Sequence, residues 1–134
     1  PPVQLPIYVA PTMEEAINDP KGYDDFSLKI LSKIGTPISK DGSIPKGYEE
    51  WVNRQKDREG LLVQNNQIPL LRGTPEVLIE KLKICHKKGV KNIFGNFGFP
   101  GMDKEKSLRS IELFCTQVLP EIRKFEESES KSNV

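Results

Sequence analysis

The pattern of apolar and polar residues predicts an extended segment at the start of the chain and helices after it. Residues Val3–Ala10 are mostly apolar, and the prolines at positions 2 and 6 disfavour a helix, so we predict a buried strand. Thr12, which precedes two glutamates, predicts a helix start. A second helix is predicted over Tyr23–Ile34, where apolar residues lie along one face at Phe26, Ile30, Leu31 and Ile34.

A helix with clear boundaries is predicted directly after a short apolar segment, Ile68–Arg72, which we interpret as a second strand. Thr74 can accept a hydrogen bond from the first free backbone N–H groups of this helix, and Pro75 suits its first turn. Gly89 is expected to end it. Its apolar residues recur at helical spacing and are Leu78, Leu82 and Cys85.

A third strand, Asn92–Phe97, is predicted after this helix and leads into a loop with glycines at positions 95, 98 and 101. Another helix is predicted to begin near Asp103. The order helix, strand, glycine-rich loop, helix is typical of α/β proteins with a parallel sheet. The functional loops of such proteins lie at the carboxyl ends of the strands.

The last predicted helix is interrupted by Pro120, so we expect a kink or a local break there. Its apolar stripe consists of Leu108, Ile111, Cys115, Val118, Ile122 and Phe125. Residues 126–134 lack core residues and predict a disordered polar tail. Cys85 and Cys115 both fall within helical patterns, so we interpret them as small apolar core residues and not as a disulfide.

A long segment, residues 35–66, shows little hydrophobic periodicity. Its first part is rich in glycine and proline and predicts an exposed loop, whereas its second part is helix-compatible but densely charged. Long loops inside compact domains are usually functional lids or disordered linkers. Two interpretations remain open, a solvated surface insertion and a candidate active-site lid.

Several segments together resemble the C-terminal end of the luciferase-like flavin-dependent monooxygenases, the family of bacterial luciferase. They are the Gly73-Thr-Pro-Glu helix start, a strand that ends on Phe-Gly, and Ser107-Leu-Arg-Ser-Ile-Glu-Leu-Phe followed by Val118-Leu-Pro-Glu-Ile. Upstream, Tyr8-Val-Ala-Pro-Thr-Met-Glu-Glu-Ala and Lys46-Gly-Tyr-Glu-Glu-Trp also resemble this family. The ordered set covers nearly the whole chain up to Phe125.

The resemblance implies an α/β fold in which residues 1–125 form roughly the last three strands of a (β/α)8 TIM barrel. Because a complete barrel needs about 250 residues, this chain of 134 residues supplies only part of one. We therefore expect a fragment that a missing N-terminal half of the barrel completes. The other expectation is a truncated relative whose open sheet edge is covered by a partner chain, for example in a dimer.

The function that the resemblance implies is that of the complete enzyme. Reduced flavin, either FMN or a deazaflavin, would activate dioxygen and oxygenate a small organic substrate. No catalytic residue is assigned in this chain, because the family places its catalytic polar groups on earlier strands. The alternative is a non-catalytic truncated barrel relative that acts as an interaction module or partner subunit.

Two loops form the candidate cofactor site, because each places backbone N–H groups at the start of a helix. The candidate residues are Arg72, Gly73, Thr74, Asn96, Phe97 and Gly98. The resemblance places the flavin phosphate mainly on earlier strands, so Asn96, Phe97 and Phe99 are expected to border the flavin or substrate, and Arg72 to face an anionic group. A purely structural interpretation remains open, in which Thr74 only caps a helix and the glycines only form turns.

Composition and charge argue against some classes of binding partner. The 20 basic and 19 acidic residues are interspersed and leave a net charge of +1, which argues against a nucleic-acid-binding surface. No apolar run approaches the roughly 20 residues that span a bilayer, and reduced cysteines fit a cytoplasmic location. His86, the only histidine, has no second His or Cys at metal-ligand spacing and is interpreted as a surface or boundary residue.

Overall fold

The computed structural model describes residues 2–34, 41–50, 53 and 71–132. Its strands and helices alternate, as in other α/β proteins. In chain order the elements are β1 (Val3–Val9), α1 (Met13–Asn18), α2 (Lys21–Ile34), β2 (Leu71–Gly73), α3 (Pro75–Lys87), β3 (Ile93–Asn96), α4 (Lys104–Leu113), a π-helical segment (Phe114–Val118) and α5 (Leu119–Ser132). The predicted strands are confirmed, although residues 68–70 of the second one lie outside the described residues.

The strands form a three-stranded parallel sheet in the order β2-β1-β3, so the first strand lies in the centre. Ile7 of β1 pairs with Leu71 of β2, and Leu5 of β1 pairs with Gly95 of β3. The coarse prediction of an α/β chain with a parallel sheet is therefore confirmed.

Helices cover both faces of this sheet. Alternate side chains of β1 face α3 and the π-helical segment, and the side chains between them face α1 and α2 near the carboxyl end. The chain crosses the sheet in one direction from β1 to β2 and in the other direction from β2 to β3. Because crossovers between parallel strands are right-handed, the helices of the first connection and the helix of the second lie on opposite faces. Consecutive barrel strands would be neighbours in chain order with all helices on one side. This arrangement does not confirm the barrel.

The main core lies between the sheet and α3. It is built from alternate residues of β1, namely Leu5, Ile7 and Val9, and from Leu71, Leu78, Leu82, Cys85 and Val118. Full burial of one large aliphatic side chain stabilises the fold by about 1.5–3 kcal/mol. Because Leu78, Leu82 and Cys85 all belong to this core, the predicted apolar face of α3 is confirmed.

Among the described residues, those that cover the opposite face of the sheet lie near the carboxyl ends of the strands. A second buried cluster lies there and consists of Tyr8, Ala10, Ala16 and Phe99. Nearer the amino ends, Phe94 is 65% exposed, and its strand partner Gln4 and the following Pro6 are also exposed. Within the described residues, this half of the sheet face carries no helix.

The helix starts follow the predicted signals with one difference. The Thr12 side chain accepts a hydrogen bond from the Glu15 N–H group at 3.2 Å, and the Asp103 side chain accepts one from the Glu105 N–H group at 3.0 Å. Thr74 occupies the predicted N-cap position, but its side chain makes no capping hydrogen bond. The backbone of both threonines is extended, with φ of −130° at Thr12 and −70° at Thr74.

Gly89 ends α3 as predicted. Its φ of +89° lies in the left-handed region, which residues with a Cβ rarely adopt. The Gly89 N–H group donates to the His86 carbonyl at 2.9 Å, and the Val90 N–H group donates to the Cys85 carbonyl at 3.0 Å. These two bonds form a Schellman motif, which satisfies carbonyl groups at the end of the helix.

Pro120 lies within α5, and the predicted kink or local break takes the form of a π-helical segment directly before that helix. Proline has no N–H group, and its ring collides with the carbonyl four residues earlier, that of Thr116. The Leu119 N–H group bonds to the Phe114 carbonyl, five residues back, so the helix adopts π geometry immediately before the proline. The helix then continues to Ser132. Residues 126–132 are thus helical, which differs from the predicted disordered tail.

The predicted apolar stripe of the last helix is only partly buried. Its inner members are Val118, which is buried, and Ile122 and Phe125, which are half-buried. Its exposed members are Leu108, Ile111 and Cys115. A π-helical turn holds more residues than an α-helical turn and therefore shifts the helical register. A stripe that faces the sheet in α5 no longer faces it in α4. In α4 the buried residue is Ser110.

Most of the predicted lid, residues 35–66, lies outside the described residues. Residues 41–50 are described, and nearly all of them are exposed. They contain turns with Gly42 at φ +83° and Gly47 at φ +95°, which agrees with the predicted exposed loop. None of the helices in the described part of the chain combines the length and apolar character that crossing a bilayer requires.

Candidate functional site

The carboxyl ends of the three strands meet at one edge of the sheet, where open α/β proteins bind their ligands. Tyr8 of β1 and Arg72 of β2 are register partners. The Phe99 ring, which follows β3, lies 5.8 Å from the Tyr8 ring and 5.6 Å from Arg72 Cζ. We define the carboxyl-edge cluster as Tyr8, Asp19, Tyr23, Asp24, Arg72, Phe99, Lys106 and Arg109.

A buried ion pair joins α2 to β2 in this cluster. The Arg72 guanidinium donates from Nη1 to Asp24 Oδ2 at 2.5 Å and from Nη2 to Asp24 Oδ1 at 2.8 Å. The two side chains are only 9% and 11% exposed. Two parallel charge-assisted bonds are the strongest form of arginine–carboxylate pairing. The charge of Arg72 is therefore neutralised within the protein.

A second network surrounds the Asp19 carboxylate. The Tyr8 hydroxyl donates to it at 2.6 Å, Lys106 Nζ donates to it at 3.0 Å, and Arg109 Nη2 lies 3.6 Å from it. Burial raises the pKa of Tyr8 to about 12, and the hydrogen bond to Asp19 adds to this effect. Burial alone would raise the pKa of the Asp19 carboxyl, but the hydrogen bonds from Tyr8 and Lys106 outweigh it and hold that pKa below its usual value.

Helix α4 is fixed to the sheet by a buried hydroxyl group. Ser110 is fully buried, and its Oγ accepts a hydrogen bond from the Val9 N–H group at 2.9 Å. This contact holds Lys106, one turn earlier, beside Asp19. Arg109, the residue before Ser110, lies beside both Asp19 and Glu15. The position of α4 therefore determines the cationic side of the cluster.

The predicted site residues of β2 are held tightly in place. A Cβ atom on Gly73 would lie 2.7 Å from Val77 Cγ1, so this position requires glycine for the approach of α3. Lys81 Nζ donates to the Arg72 carbonyl at 3.0 Å, and burial followed by the charge of Arg72 lowers the pKa of Lys81. Thr74 is half-buried at the start of α3. These residues position β2 against α3.

The predicted site residues after β3 are split between the two sheet faces. Asn96 Oδ1 accepts a hydrogen bond from the Gly98 N–H group at 2.9 Å and shapes the loop. The Phe97 side chain packs against the main core, with its ring 5.2 Å from that of Phe114. Phe99 instead belongs to the cluster on the opposite face. The structure thus brings Arg72 and Phe99 together and places Phe97 elsewhere.

The cluster does not fit a flavin phosphate at Arg72. Asp24 already takes the two bonds that a phosphate would need, and the remaining Arg72 Nε is buried without a hydrogen-bond partner among the described residues. Thr74 fits an anion better, because it stands at the start of α3 and its hydroxyl makes no capping bond. Across the described ranges, no three His, Cys, Asp or Glu side chains are grouped so that they could hold a metal ion.

Comparison of the chain with protein-family models and with curated proteins finds no match.

Proposed function

We propose that this chain is the C-terminal portion of a luciferase-like flavin-dependent monooxygenase. The observation that carries the proposal is the contact between Arg72 and Phe99 across Tyr8. This contact brings β2 together with the loop after β3, where Arg72 is expected to face an anionic group and Phe99 to border the flavin or substrate. Reduced flavin supplies the dioxygen chemistry when bound, and the substrate is a small organic molecule.

In this proposal the residues of the chain form one wall of the site and do not hold the phosphate through Arg72. Phe99 and Tyr23, whose rings lie 5.1 Å apart, exclude water from the edge of the sheet. At Thr74 the N–H groups at the start of α3 receive no bond from the N-cap side chain, so they can bind an anion. The remaining walls come from the N-terminal half of the barrel or from a partner chain, so the 134 residues alone are inactive.

The barrel itself is part of the proposal and has a direct structural test. In a barrel β2 lies between β1 and β3, whereas Gln4 and Phe94 are register partners in the sheet described above. The double variant Gln4→Cys/Phe94→Cys, made with Cys115→Ser, reports which arrangement holds in the longer protein. A barrel prevents the cross-link, and rapid disulfide formation between the two positions would refute it.

Flavin binding tests the function. Both the 134-residue chain and the longer protein that contains it are titrated with oxidised FMN and with a deazaflavin, and flavin fluorescence is followed. The longer protein should bind one of them saturably, and the chain alone should not bind either at micromolar concentration. Incorporation of isotopically labelled dioxygen into product then identifies the monooxygenase. A longer protein that binds neither flavin would overturn the proposal.

The exposed part of the sheet favours a second candidate, a non-catalytic interaction module or partner subunit. Phe94 is 65% exposed beside Pro6 on β3, an edge strand of the sheet that the described residues form, and this strand offers apolar surface and backbone groups to another chain. A transcript with a start codon directly before Pro1 supports this candidate, whereas an in-frame continuation of about half a barrel supports the enzyme.

A further inference from the structure

We infer that the chain binds a small, uncharged aromatic molecule in a cavity between β3, the end of α3 and α5. The cavity has a volume of about 340 Å³, within the usual range of small-molecule sites. Ile7 lines it, whereas the next residue, Tyr8, belongs to the carboxyl-edge cluster on the other face of the sheet. The site is therefore separate from the proposed flavin site, and the inference does not rest on that function.

The walls of the cavity are rich in aromatic rings. Phe97 and Phe114 meet edge to face with ring centroids 5.2 Å apart on one side. His86 and Phe125 meet edge to face at 5.4 Å on another. Aromatic rings prefer edge-to-face or offset contacts with other rings. A flat ring system offers such contacts to both pairs, which an aliphatic chain does not.

Gly95 helps to keep this space open. A Cβ atom there would lie 2.9 Å from Ile7 Cδ1 and 3.0 Å from Phe97 Cε2, so a side chain would displace both wall residues. The strand thus presents bare backbone to the cavity between Ile93 and Phe97. This is the close approach for which a glycine within a strand is suited.

The polar residues of the lining favour an uncharged molecule. Lys91 and Glu126 carry opposite charges, so the lining has no net charge to offset the desolvation of an ionic ligand. Asn92 adds an uncharged amide whose donor and acceptor atoms suit a hydroxyl or a ring N–H. The size also selects the ligand, because a protein partner would need an interface of about 20–30 residues a side. Phenols and indoles combine the required properties.

Titrations with 2-naphthol, indole and 2-naphthoate, followed by amide NMR of the isotopically labelled chain, test this inference. The two uncharged probes should bind saturably, at least tenfold more tightly than the naphthoate. The amide shifts should concentrate at Gly95, Phe97 and Ile122. Ile122→Trp, which fills the cavity from α5, should weaken 2-naphthol at least tenfold. Ile111→Trp makes the same replacement at an exposed position of the preceding helix and should change affinity less than twofold.

Several results would overturn the inference: equal affinity for the naphthoate, equal losses in both tryptophan variants, or shifts centred on the exposed Phe94 side of the sheet. A probe-independent dimer in sedimentation that Ile122→Trp abolishes would assign the cavity to a second copy of the chain instead. If circular dichroism shows that Ile122→Trp is unfolded, the inference is tested on the unmodified chain alone. The positions of the amide shifts and the relative affinities of the three probes then decide the outcome.

Discussion

Asp24 holds Arg72 through two charge-assisted hydrogen bonds of 2.5 and 2.8 Å inside the carboxyl-edge cluster. Arg72, which the sequence suggests as an anion ligand, therefore connects α2 to β2 through this ion pair. Phe99 lies against the same guanidinium, so the loop after β3 also depends on this pair. A change at Asp24 is therefore expected to affect both stability and the shape of the cluster.

Asp24→Asn should destabilise the fold by about 3–5 kcal/mol, because it leaves the charge of Arg72 buried without its partner. Urea unfolding measures the effect. The double variant Asp24→Leu/Arg72→Met removes both charges and should lose much less than the sum of its two single changes. Additive losses would show that the two side chains do not stabilise one another.

Much of the local structure followed from the sequence, because its signals are short-range. The Gly89 helix end and the irregular helix geometry before Pro120 depend on single residues whose backbone chemistry allows few alternatives. The position of β1 at the centre of the sheet depends on contacts distant in sequence. Without that position, nothing in the sequence indicated that Asp19 and Asp24 would flank Tyr8 and Arg72. The sequence therefore predicted only part of the cluster, namely Arg72 and Phe99.

The hydroxyl of Tyr8 should make stability fall at high pH. Its pKa is raised to about 12 in the folded state, against about 10 in an unfolded chain. Between these values the unfolded state has released its proton and the folded state has kept it, so the contribution is complete below pH 10 and is lost toward pH 12. Ultraviolet titration should show one of the three tyrosines ionising later than the others.

Tyr8→Phe provides the control for this titration. The late-ionising tyrosine should disappear from the spectrum, and the part of the alkaline stability loss that Tyr8 causes should disappear with it. A late transition that persists in Tyr8→Phe would assign it to Tyr23 or Tyr48. Unchanged stability between pH 10 and pH 12 in the unmodified chain would contradict the raised pKa.

Ser110→Ala should destabilise the fold by about 1–3 kcal/mol, because it leaves the buried N–H group of Val9 without an acceptor. Thermal and urea unfolding measure the loss. Ser128→Ala is the matched control, since the Ser128 hydroxyl donates to the Phe125 carbonyl at 2.8 Å on an exposed part of α5. Its effect should stay within about 0.5 kcal/mol. Similar losses in the two variants would contradict the anchoring role of Ser110.

The cysteines should differ in reactivity. Cys85 is buried in the main core, and burial raises the pKa of its thiol, whereas Cys115 is exposed. A thiol reagent should therefore modify one cysteine quickly in the folded chain and the other only after unfolding. Cys115→Ser should remove the fast phase. Two fast phases in the folded chain would contradict the burial of Cys85.

Residue type alone could not separate these two cysteines, nor could it separate the two threonines at helix starts. Both threonines precede a helix and both have an extended backbone, but of the two only Thr12 accepts a capping hydrogen bond on its hydroxyl. A side-chain rotamer at a helix start depends on its surroundings. The sequence therefore predicted both helix starts correctly, but the capping bond that it predicted at Thr74 is not formed, and Thr12 makes the bond instead.

The two threonines give the last prediction. Thr12→Ala should lower stability by about 1 kcal/mol, because it removes the acceptor of the Glu15 N–H group. Thr74→Ala should cost less than about 0.5 kcal/mol, since its hydroxyl caps nothing. Urea unfolding of both variants checks this difference. If Thr74 instead helps to bind the phosphate of FMN in the longer protein, Thr74→Asp should weaken FMN about tenfold or more, because it places a carboxylate against the phosphate. A Thr74→Asp protein that is stable and binds FMN normally would leave Thr74 a purely structural role.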